Sequence, residues 1–186
     1  MQRMTSSTIL VCLAALLVAS PASAQKKGTG GKPFAYLGGG VTFPAGDYKT
    51  YAKTGWTGTA GVGLNFGKGA NAWFDVEGYY GSNNHSDVIG DKTRVYGAMG
   101  ALGYLFAEGK KVRPYVTGGA GFLVHRYRSV NTNINPNTSE TKFGYTGAAG
   151  LDFAVGPKTS FYAEGRWVGS SGTNTVPVLV GIVLNF

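Results

Sequence analysis

Apolar positions recur every second residue through most of this chain, and no helix-period segment of useful length interrupts them. The last eleven residues show the pattern most plainly. Read in steps of two from the end, Phe186, Leu184, Ile182, Val180, Val178 and Val176 form an unbroken apolar row. The intervening Asn185, Val183, Gly181, Leu179 and Pro177 are smaller and less uniform. Successive strand side chains point to opposite sides, so this segment is a strand with one continuously apolar surface. The same alternation, bounded by turn residues, predicts strands at about 34–43, 55–66, 71–81, 92–106, 112–127, 142–155, 160–169 and 176–186.

The connections alternate in length. Short turns join strands two and three (67–70), four and five (107–111) and six and seven (156–159). The others, about 44–54, 82–91, 128–141 and 170–175, are longer, polar and irregular. Eight strands with short turns on one side and longer loops on the other fit an all-β, eight-stranded antiparallel up-and-down transmembrane barrel, with both termini on the short-turn side. Strands of about 9–11 residues are long enough to cross a bilayer when tilted. Aromatic residues collect near the strand ends (Phe43, Trp56, Phe66, Tyr80, Phe122, Phe143, Phe153, Phe161, Trp167, Phe186), as interfacial girdles require.

Period alone leaves open which face points inward, because a soluble ligand-carrying barrel alternates in the same way with its apolar face inside. Charge decides. Only 14% of residues are charged, against roughly 25% in ordinary soluble domains. The less apolar face is also rich in Gly, Ala and Thr, and is too poorly charged to keep a surface in water. The apolar face therefore turns outward to lipid. Seven strand charges are assigned to the lumen: Asp75, Glu77, Arg94, Arg113, Asp152, Glu164 and Arg166. They read either as a plug of mutually satisfied ion pairs or as a gate whose opening admits ions.

The first 24 residues read as a secretory signal peptide. Arg3 marks the n-region, Thr8 to Ala19 the apolar run, and Ala22-Ser23-Ala24 a small-residue cleavage site before Gln25. Cleavage between Ala24 and Gln25 removes the single cysteine, Cys12, and lowers the formal charge from +8 to +7. Residues 25–33 form a Lys/Gly tether in the periplasm, and 34–186 form one barrel domain. The Lys and Arg residues are scattered rather than striped on an exported chain, so nucleic acid is not an expected partner.

Together the signal peptide, the loop asymmetry, the stretch Arg113-Pro114-Tyr115-Val116 through Gly118-Gly119-Ala120-Gly121 and the terminal strand ending in Phe186 resemble the OmpA/OmpX-type eight-stranded outer-membrane barrels. The terminal Phe186, with Leu184 and Ile182, resembles the signal read by the barrel-assembly machinery. The resemblance implies residence in a Gram-negative-type outer membrane, contact with its lipid and lipopolysaccharide, and a monomer. It covers the barrel alone, so no cell-wall tether is expected. The family spans structural proteins, adhesins, small pores and a few lipid-modifying enzymes, and fold does not choose among them.

The expected function is a structural or surface-interaction barrel, with loops facing outward and contacting an external ligand. A narrow pore is the alternative, and a lipid A-modifying enzyme comes third. An enzyme of the third kind needs a rim His, Ser and acid. Ser170 and Ser171 are available, but the histidines are only His85 and His125, so a base would have to reach them from His125. No cofactor is expected, and His85 with Asp87 lacks further ligands at metal-binding spacing. Arg126 and Arg128, with Lys142 opposite, are placed at the outer rim. There they either contact lipopolysaccharide phosphates or simply keep the rim soluble.

Overall fold

The computed structural model describes residues 31–66, 71–85, 91–107, 109–129 and 138–186. The signal peptide, its cleavage site and most of the tether lie outside the described residues, as do Asp87 and most of the long Asn/Thr-rich loop.

Eight antiparallel strands close into a barrel in chain order: β1 (Pro33–Ala45), β2 (Gly55–Phe66), β3 (Ala72–Asn84), β4 (Lys92–Leu105), β5 (Val112–Arg128), β6 (Thr138–Ala154), β7 (Thr159–Ser170) and β8 (Thr173–Asn185). β8 returns to β1 in continuous register from Phe34↔Asn185 to Ala45↔Asn174, which leaves no unpaired sheet edge. The register of every pair runs without a bulge, so residue parity alone sets which way each side chain points. The row from Val176 to Leu184 faces outward.

Leu37, Leu102, Phe122 and Val180 are each 60–66% exposed on that outer wall. A continuous apolar surface of this kind would aggregate in water but is matched to hydrocarbon. Rings bound the band at both ends. At the loop end Trp56 stacks on Tyr80 at 4.8 Å, with Tyr96 beyond it, and Phe122 meets Phe143 edge-on. At the turn end Tyr104 packs on Phe106.

The lumen is narrow enough that its large rings need notches in the opposite strand. Tyr36, Trp73, Tyr115 and Tyr162 lie directly across from Gly61, Gly103, Gly150 and Gly181. A Cβ added at Gly103 would lie 2.1 Å from the Trp73 ring, and one at Gly61 2.6 Å from Tyr36. The high glycine count therefore follows from filling a small barrel with aromatic side chains.

Several boundaries differ from the expectation. β3, β6, β7 and β8 run further towards the loop end than alternation suggested. Consequently β7 and β8 are joined by Ser171 and Gly172 alone, and the expected longer connection at 170–175 is a tight turn. Gly172 has φ of 80°, a conformation open to glycine without a Cβ clash. The first loop contains a 3-10 turn, Gly46–Thr50, whose Tyr48 is buried. The end of the tether is docked: the Asn65 N–H bonds to the Lys32 carbonyl at 2.9 Å, and β1 already begins at Pro33.

Candidate functional site: the barrel lumen and its outer rim

The inward positions of β3, β5, β6 and β7 bring six of the seven proposed lumen charges inside the barrel. At mid-height Arg166 on β7 forms an ion pair with Glu77 of β3, while its Nη2 lies 2.8 Å from Glu164. The far oxygen of Glu77 accepts from the Tyr36 hydroxyl at 2.8 Å and the Thr59 hydroxyl at 2.7 Å. The far oxygen of Glu164 accepts from the Tyr115 hydroxyl at 2.8 Å. Nearer the turns, Trp73 Nε1 donates to Asp75 at 2.9 Å, with the Tyr36 hydroxyl at 3.2 Å. Arg113 pairs with Asp152 across β5 and β6, to which it is register-opposed.

Arg94 is not among them. It shares β4's outward parity with Tyr96, Leu102 and Tyr104, all exposed, so its assignment to the lumen is corrected. β4 misled because its inward face is also apolar: Val95 and Met99 point into the barrel. Without Arg94 the six proposed charges that lie inside are four acids and two bases, not a near balance. Neutral donors make up the difference, since Tyr36, Thr59, Trp73 and Tyr115 supply hydrogen bonds that cations do not. These donors carry no charge signature and were not singled out from the sequence.

Two residues further towards the loop end along β3 and β7, the lumen becomes dry. Tyr79, Val95, Met99, Leu123 and Val168 form one buried cluster. Met99 and Leu123 are almost completely sealed, at 1% and 0% exposed. On the turn side of Arg166 a cavity of about 360 Å³ is lined by Tyr36, Trp73, Asp75, Arg113, Tyr115 and Tyr162, among others, and by residues of the turns. The lumen is thus a vestibule at one end, an ionic layer in the middle and an apolar layer beyond it.

At the loop end, His125 Nε2 and the Ser170 hydroxyl are 2.9 Å apart. The contact reaches from β5 to β7 across β6, where Ser170 is register-opposed to Gly144 and His125 to Glu140. His125 Nδ1 is buried and has no hydrogen-bond partner. The pair therefore lacks the acid that would orient the imidazole as a base. Lys142 departs from its proposed place. It has inward parity, pairs with Glu140 at 3.1 Å and donates to the Ser171 carbonyl at 3.0 Å, whereas Arg126 and Arg128 point out of the barrel. The three do not share a surface. Among the described residues no group of three His, Cys, Asp or Glu side chains is placed to hold a metal ion.

Several solved barrels share the architecture. Neisserial surface protein A superposes with a TM-score of 0.66 at 13% identity, covering 83% of this chain and 97% of that one. Ail, the attachment invasion locus protein of Yersinia pestis, gives 0.60 at 15%, covering 84% and 99%. OprG of Pseudomonas aeruginosa gives 0.54 at 13%, covering 86% and 98%. At such identities the likeness concerns the fold. Among curated proteins none matches the chain significantly. The outer membrane protein beta-barrel domain family matches residues 10–186, nearly the whole chain. With its closed eight-stranded barrel and lipid-facing apolar wall, the chain belongs to that family, the barrels of the Gram-negative outer membrane.

Proposed function

We propose that this barrel is a structural and surface-interaction protein whose lumen is shut, and that its work is done on the outer wall and the loops. One observation carries this reading: the ionic layer around Arg166 is backed by the apolar layer of Tyr79, Val95, Met99, Leu123 and Val168. An ion entering the vestibule would have to displace a satisfied network and then cross a dry constriction. Catalysis has less support, because the imidazole of the His125–Ser170 contact has no orienting acid among the described residues.

Single-channel recording of the refolded barrel in planar bilayers tests the reading, with Glu164→Ala, Arg166→Ala and the pair Met99→Ala/Leu123→Ala beside wild type. Wild type and the two ionic variants remain silent, because the apolar layer persists, whereas the double variant opens. Steady wild-type openings altered by Glu164→Ala or Arg166→Ala would overturn the proposal and make the lumen a pore.

A further inference from the structure

Every outward-facing position of the eight strands is uncharged except four, and all four are basic: Lys92 and Arg94 on β4, Arg126 and Arg128 on β5. The register sets them in a square, Lys92 directly opposite Arg128 and Arg94 directly opposite Arg126. Directly opposed residues have their Cβ atoms about 5 Å apart, and the two rows lie about 6.7 Å apart along the strands. Like charges so placed repel, and no carboxylate pairs with them among the described residues. Arg94 Nε is buried without any hydrogen-bond partner. The flanking outward positions, Ser82 and Asn84 on β3 and Ser139 and Thr141 on β6, are neutral.

We propose that this square is a binding site for the phosphorylated headgroup of an outer-leaflet lipid, one that carries two phosphate monoesters. A phosphate monoester bears a charge of about −1.5 to −2, so two of them neutralise four cations. Arginine forks also hold phosphate oxygens in pairs. Its height fits a lipid rather than a soluble polymer. Arg94 lies two residues nearer the loop end than Tyr96, which on a strand tilted by about 40° lifts it about 5 Å above the ring girdle of Trp56, Tyr80 and Tyr96. That is headgroup depth. Below it Ala98, Leu102, Ala120 and Phe122 offer an apolar wall to acyl chains. A rim that needed only solubility would spread charges of both signs round all eight strands, whereas here one sign sits on one strand pair. The site is independent of whether the lumen conducts.

Native mass spectrometry tests it, on barrels released from phosphatidylcholine nanodiscs doped with diphosphoryl lipid A or with its monophosphoryl form. Wild type retains the diphosphoryl lipid, and retains the monophosphoryl form less well. Arg94→Gln/Arg126→Gln and Lys92→Gln/Arg128→Gln each lower that retention at least about tenfold, while inward-facing Lys142→Gln does not. A gel-mobility shift on heating confirms that each variant is folded. Equal retention by wild type and Arg94→Gln/Arg126→Gln overturns the proposal. So does indifference to the number of phosphates. Binding of a soluble sulfated polysaccharide through the same residues, with no lipid enrichment, would assign the square to a soluble polyanion and overturn it as well.

Discussion

Replacing Arg166 by methionine keeps the aliphatic stem but removes the guanidinium that holds Glu77 and Glu164. All three side chains are buried, at 6%, 1% and 3% exposed, so water does little to screen the loss. Removing one member of such a network strands two carboxylates in a low-dielectric lumen, at a cost of about 3–5 kcal/mol. With a urea slope of about 2 kcal/mol per molar, the unfolding midpoint falls by about 1.5–2.5 M. The control is the triple variant Arg166→Met/Glu77→Gln/Glu164→Gln. Glutamine leaves acceptors for Tyr36, Thr59 and Tyr115, and the two carboxylates that Arg166 held are replaced by neutral amides. Its unfolding free energy should return to within about 1–2 kcal/mol of wild type. The assay is urea unfolding in lipid vesicles, followed by tryptophan fluorescence. A loss below about 1 kcal/mol for Arg166→Met alone would refute the reasoning, because it would mean that water reaches the network and solvates the orphaned carboxylates.

Two further outcomes follow from the packing and the termini. Gly103→Ala drives a methyl group into the Trp73 ring and should destabilise the barrel by about 1–3 kcal/mol, whereas Gly165→Ala, with nothing within 4 Å of its new Cβ, should be nearly neutral in the same urea titration. Deleting Phe186 removes an exposed girdle ring and the N–H that bonds the Pro33 carbonyl at 3.1 Å; outer-membrane insertion, measured by fractionation, should fall, and unchanged insertion would count against the terminal signal.

Alternation along β1, β2, β3, β5, β6, β7 and β8 made the barrel and the lipid-facing side of its wall legible from the sequence, because a strand's side-chain period is two and a membrane tolerates charge on one face only. Six lumen charges were legible for the same reason. β4 was the exception, since its inward face helps build the apolar layer and both of its faces therefore look greasy. On such a strand the pattern does not assign Arg94 to a face, and Lys142, though it lies opposite the Arg126 and Arg128 segment, has the other parity.

What the sequence determined by itself was the local pattern: strand number, period, and the paucity of charge that puts the apolar side in lipid. Only the closed register decided the rest, because pairing across strands joins residues that no spacing connects. It set Tyr36 over Gly61, carried Arg166 across to Glu77, and placed Lys92, Arg94, Arg126 and Arg128 in one square. Each of these depends on a Cα partner fixed by hydrogen bonds between distant segments, and a shift of one residue in any pairing would send the same side chains to the opposite face.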